Sequence, residues 1–455
     1  MKLLTKHTLV LAFALVLASP VSVFATNGMN MIGYGAKATG MGGVGVAYPQ
    51  DAMAVAYNPA SMTEVGQMRL DATLELFYPP RAVRHESSLL GTTDADSKDK
   101  LFPIPAIGAV MSDPYTPMAL GMAIIGAGLG TSYHQTRTVD SNGNCVPNFF
   151  DPCATVTPYK RVGVFLMQMQ MLPSMAFRID EHQSVGFSVV IAMQTFRAFG
   201  LEAFGDIGFS GDQTRLSNKG NDWSFGGGYR LGWFGKFFDK RLNLGVNYAP
   251  QVNMQKFNQY SGLFAGHGEF DIPESYAAGM AFKLTPKTNV AFDILRINWA
   301  KVRSIGNKGP NAADPNNLNP NGICSTSPAN TPECNLGGDL GMGFGWHDQT
   351  VYKLGMDYKW SPTLTVRGGV NYGKSPIQKD QVLFNMLAPA TVEKHLTFGF
   401  TQILDKDSDF TFTFMHAFKN TIKGPTPFPP SGTQGDNAAL TMAQTSLSFA
   451  YGLKF

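Results

Sequence analysis

From residue 65 onward the chain repeats one pattern, strict alternation between an apolar and a polar face. The last fifteen residues, TMAQTSLSFAYGLKF, set Ala443, Thr445, Leu447, Phe449, Tyr451, Leu453 and Phe455 on one side. Gln444, Ser446, Ser448, Gly452 and Lys454 fall on the other. KLGMDYKW, TLTVRGGVNY, RLNLGVNYAP and DFTFTFMH alternate in the same way. A period of two is the period of a β-strand with one greasy face. Fourteen such segments are predicted, near 67–78, 102–112, 118–131, 160–178, 184–199, 222–235, 241–256, 274–284, 288–303, 350–360, 363–374, 391–404, 409–420 and 441–455. The joins alternate in length. SDPYTP, RIDEHQ, FFDKR, LTPK, SPT and DKDSD are short, while residues 79–100, 132–159, 304–349 and 421–440 make long connections. A soluble sandwich would bury its apolar faces, whereas a membrane barrel turns them to lipid. Short turns on one rim and long loops on the other select the barrel: an all-β, fourteen-stranded antiparallel transmembrane barrel of the bacterial outer membrane. Lipid offers no partner to backbone amides, so the sheet must close on itself. An even strand count puts both ends of the barrel on the short-turn, periplasmic rim. Tyr78, Trp223, Trp233, Tyr248, Trp360 and Tyr372 fit interfacial girdles.

The ends of the chain agree. Lys2 and Lys6 precede the short apolar run Leu9 to Leu17, and Val23-Phe24-Ala25 offers a small-residue cleavage site. Residues 1–25 therefore read as a secretory signal peptide, the run being too short to span hydrocarbon. Phe455 ends the final strand on an aromatic residue, the kind of signal read by the outer-membrane assembly machinery. Two close cysteine pairs, Cys145 with Cys153 and Cys324 with Cys334, lie in polar loop-like stretches. An exported chain meets an oxidising compartment, so each pair is expected to close a local disulfide. The spacings fit no common zinc pattern and no His is interleaved, so no metal is expected. A net charge of +3, with no basic block, gives no reason to expect nucleic acid.

Fourteen strands enclose more space than side chains readily fill. Residues 26–65 precede the first strand, lack its alternation and are rich in glycine, so they are the candidate for a plug. The domain reading is residues 1–25 signal peptide, 26–65 hatch and 66–455 barrel. Asn58-Pro59-Ala60 punctuates the hatch. Proline fixes its own φ and forces Asn58 to be extended, while the Asn side chain can cap nearby backbone.

The stretch TGMGGVGVAYPQDAMAVAYNPASM, with WAKVRSI, GVNYGKSPI, TFMHAF and the terminal SFAYGLKF, resembles the FadL family. These are outer-membrane transporters for long-chain fatty acids and, in one branch, toluene-like hydrocarbons. The resemblance covers nearly the whole chain. It implies passive uptake without a cofactor. Ligand lands among outer loops, passes a hatch, and leaves sideways where the third strand kinks inward beside the hatch's Asn-Pro-Ala. It therefore assigns Asn58, Pro59 and Ala60 to the gate, and Gly126, Gly128 and Gly130 of MALGMAIIGAGLGTSY to the kink. Glycines within a strand independently mark a bend or a close approach. A hatch tip carrying Met29, Met31 and Ile32 suits a greasy site. The expected partners are a hydrophobic small molecule, the bilayer and its lipopolysaccharide, with the protein a monomer.

A fatty-acid carboxylate would call for a buried cation. The resemblance points to an arginine near the end of the fifth strand, which is Arg197, although alternation sets it with the outward Val185, Phe187, Val189 and Ile191. Arg230, Lys353 and Arg367 fall on the polar face more clearly. Lys301, Arg303 and Lys308 surround the place of a second cation. Salt bridges within the lumen, to Asp71, Glu75, Asp293 or Asp357, would explain these cations equally well. FLMQMQMLPSM could line the ligand path, and LFAGHGEF and FGDIGF could form the landing groove. No nucleophile–base arrangement accompanies His395 or His416, so an enzyme is not expected. The alternative function is a general diffusion porin, against which the apolar hatch argues.

Overall fold

The computed structural model describes residues 27–87, 91–112, 115–134, 138–139, 141–146, 161–206, 209–310, 319–325, 331–426 and 436–455. The expected signal peptide lies outside them. Fourteen antiparallel strands form a closed barrel. They are β1 (Gln67–Tyr78), β2 (Phe102–Ser112), β3 (Met118–His134), β4 (Arg161–Arg178), β5 (Gln183–Phe199), β6 (Asp222–Phe237) and β7 (Leu242–Ala249). The second half is β8 (Ser275–Thr285), β9 (Thr288–Ile297), β10 (Gln349–Lys359), β11 (Leu364–Gly373), β12 (Lys394–Asp405), β13 (Ser408–Pro425) and β14 (Asn437–Lys454). Each pairs with its sequence neighbours, and β1 closes the ring on β14 from Arg69–Lys454 to Tyr78–Thr445. Among the described residues no helix is long and apolar enough to cross a membrane. The outward faces are mainly apolar, with Tyr78, Trp223, Trp360 and Tyr372 exposed.

Two predicted strands stop early. β7 ends at Ala249 rather than 256, because Pro250 follows and cannot donate to the ladder. β9 ends at Ile297 rather than 303, where Trp299–Lys301 and Arg303–Gly306 turn into short helices. On the long-loop rim, the hairpin Arg81–Ser87 with Gly91–Asp96 extends the wall by pairing with the start of β14. Cys324 and Cys334 are joined as a disulfide in a long loop, their Cα atoms 5.6 Å apart. Cys153 lies outside the described residues, and with it the expected Cys145–Cys153 pairing.

Residues 27–65 run inside the ring and are almost entirely buried. They hold only short helical turns at Ala36–Thr39, Ala54–Tyr57 and Pro59–Glu64. Such a segment leaves many backbone groups without a partner of their own, and buried groups must be paired. The polar inner face of the barrel supplies the partners. Asp293 accepts from Gly45 N (2.7 Å) and Val46 N (3.1 Å), and Asp71 accepts from Ala52 N (2.9 Å). Lys353 Nζ donates to the carbonyls of Ile32 (2.9 Å) and Gly43 (3.1 Å), and Thr413 Oγ1 donates to Ala36 O (2.7 Å). Lys37 pairs with Asp409 at 2.8 Å, and Asp409 also meets Arg69 at 2.7 Å.

Candidate functional site

Asn58 is fully buried and extended (φ −156°, ψ 106°), as the following proline requires. Its Nδ2 donates to Val46 O (3.0 Å) within the segment and to Trp233 O (2.9 Å) in β6. Its Oδ1 accepts from Ala60 N (3.1 Å), capping the turn that Pro59 opens. Ser184 of β5 donates to Ala60 O (2.9 Å). Two wall glycines make this approach possible. A Cβ on Gly186 would come within 2.3 Å of Ala60 N, and one on Gly232 within 2.1 Å of Asn58 Oδ1. The motif therefore docks on β5 and β6, not beside the Gly126–Gly130 stretch of β3. Only its flanks reach β3, where Val55 and Met62 pack over Gly121.

The part of β3 that carries Gly126, Gly128 and Gly130 has lost its neighbour on one side. The β2–β3 ladder runs from Ser112–Ala119 only to Ile107–Ile124, while β3 pairs with β4 over its whole length. The freed edge is covered by other groups. Gly128 N donates to Met29 O (3.4 Å), Arg81 donates to Gly130 O, and Lys98 N donates to Ser132 O (2.8 Å). A cavity of about 310 Å³ lies there, lined by Met29, Gly128, Leu129, Gly130 and Leu387 among others. Met29 faces this cavity. Met31 and Ile32, a turn further on, face a different one.

Towards the long-loop rim lies a second cavity of about 590 Å³. Val164, Leu166 and Phe196 of the wall line it, with Phe204, Phe264, Phe270, Leu336, Phe344 and Phe384 from the loops. Ser304 is its one polar side chain among the described lining residues. Leu129 and Leu387 line both this cavity and the one beside Met29, so the two adjoin. Phe204, Leu263, Phe264 and Phe270, from the stretches expected to make an exposed landing groove, are instead folded around it. A third cavity of about 850 Å³, mixed in character, lies beyond the tip residues Met31 and Ile32. It reaches Arg230, Asp293 and Lys353.

The cations divide. Arg197 points out of the barrel, exposed, with its guanidinium 5.1 Å from the centroid of the Phe165 ring, as alternation required. It is not in the lumen, and the position implied by family resemblance is corrected. Arg230 is in the lumen and donates to Ala56 O (2.9 Å) and Gln170 Oε1 (2.7 Å). Arg367 lies under the N-terminal segment and donates to Thr401 Oγ1 (2.7 Å). Lys301 and Arg303 are on the long-loop rim, paired with Glu274 and Asp339 respectively. Lys301, Asn298 and Tyr248 all donate to Glu274 and hold its carboxyl down to about 2. In FLMQMQMLPSM the lumen receives Gln168 and Gln170, so Met169 and Met171 lie on the outer face, while Met167 packs against the buried cluster of Met31, Ile32, Phe102 and Ile104.

Comparison with known proteins agrees with this architecture. The family model described as "Outer membrane protein transport protein (OMPP1/FadL/TodX)" matches residues 156–454. The toluene transporter TodX of P. putida superposes with a TM-score of 0.64 at 18% identity, covering 93% of this chain and 99% of that one. The toluene transporter TbuX of Ralstonia pickettii gives 0.59 at 18% identity, covering 94% and 99%. A FadL homologue of Pseudomonas aeruginosa gives 0.60 at 13% identity, covering 96% and 99%. A Chlorobium limicola protein, described as uncharacterized and encoded in the 5' region of a phosphoenolpyruvate carboxykinase gene, is 41% identical over 85 residues. That match takes in 19% of this chain and 40% of the relative's length. A plugged fourteen-stranded barrel and a family match over most of its strands lead to one conclusion: the chain belongs to the outer membrane protein transport protein family, OMPP1/FadL/TodX.

Proposed function

We propose that this protein takes up uncharged hydrophobic molecules, monoaromatic or similar hydrocarbons, by passive diffusion across the outer membrane. The observation that carries the reading is the apolar cavity around Phe204, Phe264 and Phe384, with a single hydroxyl and no cation among its described lining residues. A carboxylate held there would have no partner, and burying it would be costly. A fatty acid would have to reach the third cavity, where Arg230 and Lys353 already donate to carbonyls of the N-terminal segment.

In this reading residues 1–25 are a cleaved leader, residues 26–65 are the hatch, and residues 66–455 form the barrel. The short-turn rim and both termini face the periplasm, the assembly machinery recognises the final strand, and the protein works as a monomer among lipids and lipopolysaccharide. Release at the third strand is supported by the parting of β2 and β3 beside Gly126–Gly130. There Met29 of the hatch and Arg81 of the first long loop form a removable cover. Asn58-Pro59-Ala60 serves as the hatch's anchor on the wall. The test is a deletion strain grown on toluene and on oleate side by side, with uptake of each labelled compound measured. Loss of toluene uptake alone is expected. A large steady conductance in planar bilayers would show a porin instead, and loss of oleate uptake alone would overturn the hydrocarbon assignment.

A further inference from the structure

We infer that the wall holds a second side opening, between β6 and β7, through which the third cavity meets the bilayer. The inference rests on the proposed uptake of hydrophobic molecules only for the cargo, not for the opening. The β6–β7 ladder runs from Phe237–Leu242 to Leu231–Tyr248 and stops. It is met again only at one bridge, Gly226–Met254. Gly227, Gly228, Tyr229 and Arg230 lie between these two points, although β6 keeps its pairing with β5 from Asp222 to Gly235.

Two causes are local and visible in the sequence. Pro250 ends β7 where the ladder parts, and beyond it the chain bends into the lumen. The stretch Gly226-Gly227-Gly228 receives it. A Cβ on Gly226 would lie 2.3 Å from Met254 Sδ, and one on Gly228 would lie 2.8 Å from Val252 Cγ2. Gly226 and Gly228 mark this close approach of backbone to side chain, and Gly227 between them faces outward. Val252 stays tied to Ile272 by a reciprocal pair of backbone hydrogen bonds (3.0 and 3.1 Å), so the inward segment and the run into β8 move as one ribbon.

The third cavity lies against this break. Its lining joins Ile32, Asp293 and Lys353, deep in the lumen, to Pro250, Val252 and Pro273 at the break and to Tyr229. Tyr229 is on the lipid-facing side of β6, 42% exposed, its ring stacked on the outward Phe187 at 6.3 Å. A cavity that reaches both the break and Tyr229 is placed to open through the wall there. A molecule that slips past Met31 and Ile32 can thus leave at Tyr229 without reaching β3. The mixed lining, with Tyr34, Tyr57, Asn247 and Arg230 beside aliphatic groups, suits hydrophobic molecules carrying one polar group.

Two experiments test the opening. Ala277 lines the third cavity, and Ala450 is about as buried on the inner face of β14, away from it (7% and 6% exposed). Ala277→Cys and Ala450→Cys variants in liposomes are treated with N-dodecylmaleimide dissolved in the bilayer. The opening predicts that Ala277→Cys reacts several-fold faster; equal or slower reaction overturns it. Independently, Gly228→Cys with Val252→Cys places two Cβ atoms 3.6 Å apart, within disulfide range, and staples the ribbon to β6. Uptake of labelled p-cresol, an aromatic with one hydroxyl, is expected to fall several-fold on oxidation and recover on reduction, while the wild type is unaffected by the reductant. Full uptake by the oxidised pair overturns the opening as a route. A wild type that takes up neither p-cresol nor toluene overturns the proposed cargo, and the maleimide rates then decide the opening alone.

Discussion

Replacing Asn58 with Ala removes a side chain that joins three parts of the molecule. Three hydrogen bonds go, those to Val46 O, Trp233 O and Ala60 N. Each such bond contributes about 1 kcal/mol net, and a buried partner left without one costs about 1–3 kcal/mol. Water cannot readily replace them, because Asn58 is fully buried between the segment and the wall. Taking the lower figure for each bond gives about 3 kcal/mol lost from the docking of residues 27–65, roughly a hundredfold in the local opening equilibrium. The barrel ladders do not depend on this side chain, so the loss is confined to the segment. Amide hydrogen exchange of the purified protein in detergent, read by mass spectrometry, separates the two. Peptides from residues 40–65 are expected to exchange about a hundredfold faster, and those from β14 at the wild-type rate. Asn58→Asp keeps an acceptor for Ala60 N but turns a second carboxylate oxygen towards two carbonyls, so it is expected to be no better than Ala. Exchange within about threefold of wild type in Asn58→Ala would refute the anchoring argument.

Other outcomes follow from the same contacts. Asp409→Ala leaves Lys37 and Arg69 buried without their shared carboxylate, and a loss of about 3–5 kcal/mol in unfolding free energy is expected from denaturant melts. Phe264→Arg sets a charge in the apolar cavity and is expected to abolish toluene uptake with the protein still inserted, while Phe264→Leu keeps most of it. Replacing Cys324 and Cys334 with Ser frees a loop spanning ten residues of sequence, worth about 2.5–3 kcal/mol of chain entropy, and should speed proteolysis in that loop alone. The depressed Glu274 carboxyl stabilises the loop fully above the ordinary carboxylate range and loses that contribution as pH falls towards about 2. The difference in thermal midpoint between wild type and Glu274→Gln should therefore shrink steadily on acidification.

Alternation, turn length and the terminal aromatic were enough to place all fourteen strands, because a strand's two faces are decided residue by residue along the chain. The inward Asp71, Asp293, Lys353, Asp357 and Arg367 were legible for the same reason, and alternation placed Arg197 outside against the family pattern. Their use was not legible. Only the folded barrel shows that Asp293 and Lys353 hold backbone groups of residues 32–46 that have no partner of their own. The contact of Asn58 with Trp233 spans 175 residues of sequence, and no local pattern encodes which wall strand the motif meets. The parting of β6 from β7 was hidden too, whereas the glycines of the third strand marked a bend there without telling which neighbour it loses. A strand's sequence records its own faces, but a ladder belongs to two strands and ends where either one leaves. Gly226-Gly227-Gly228 and Pro250 were the available signals, and their meaning depended on what packs against them. The sequence alone determined a closed barrel with a filled lumen. The tertiary structure decided where that barrel is anchored from within and where its wall comes apart, because both are set by neighbours distant in the chain.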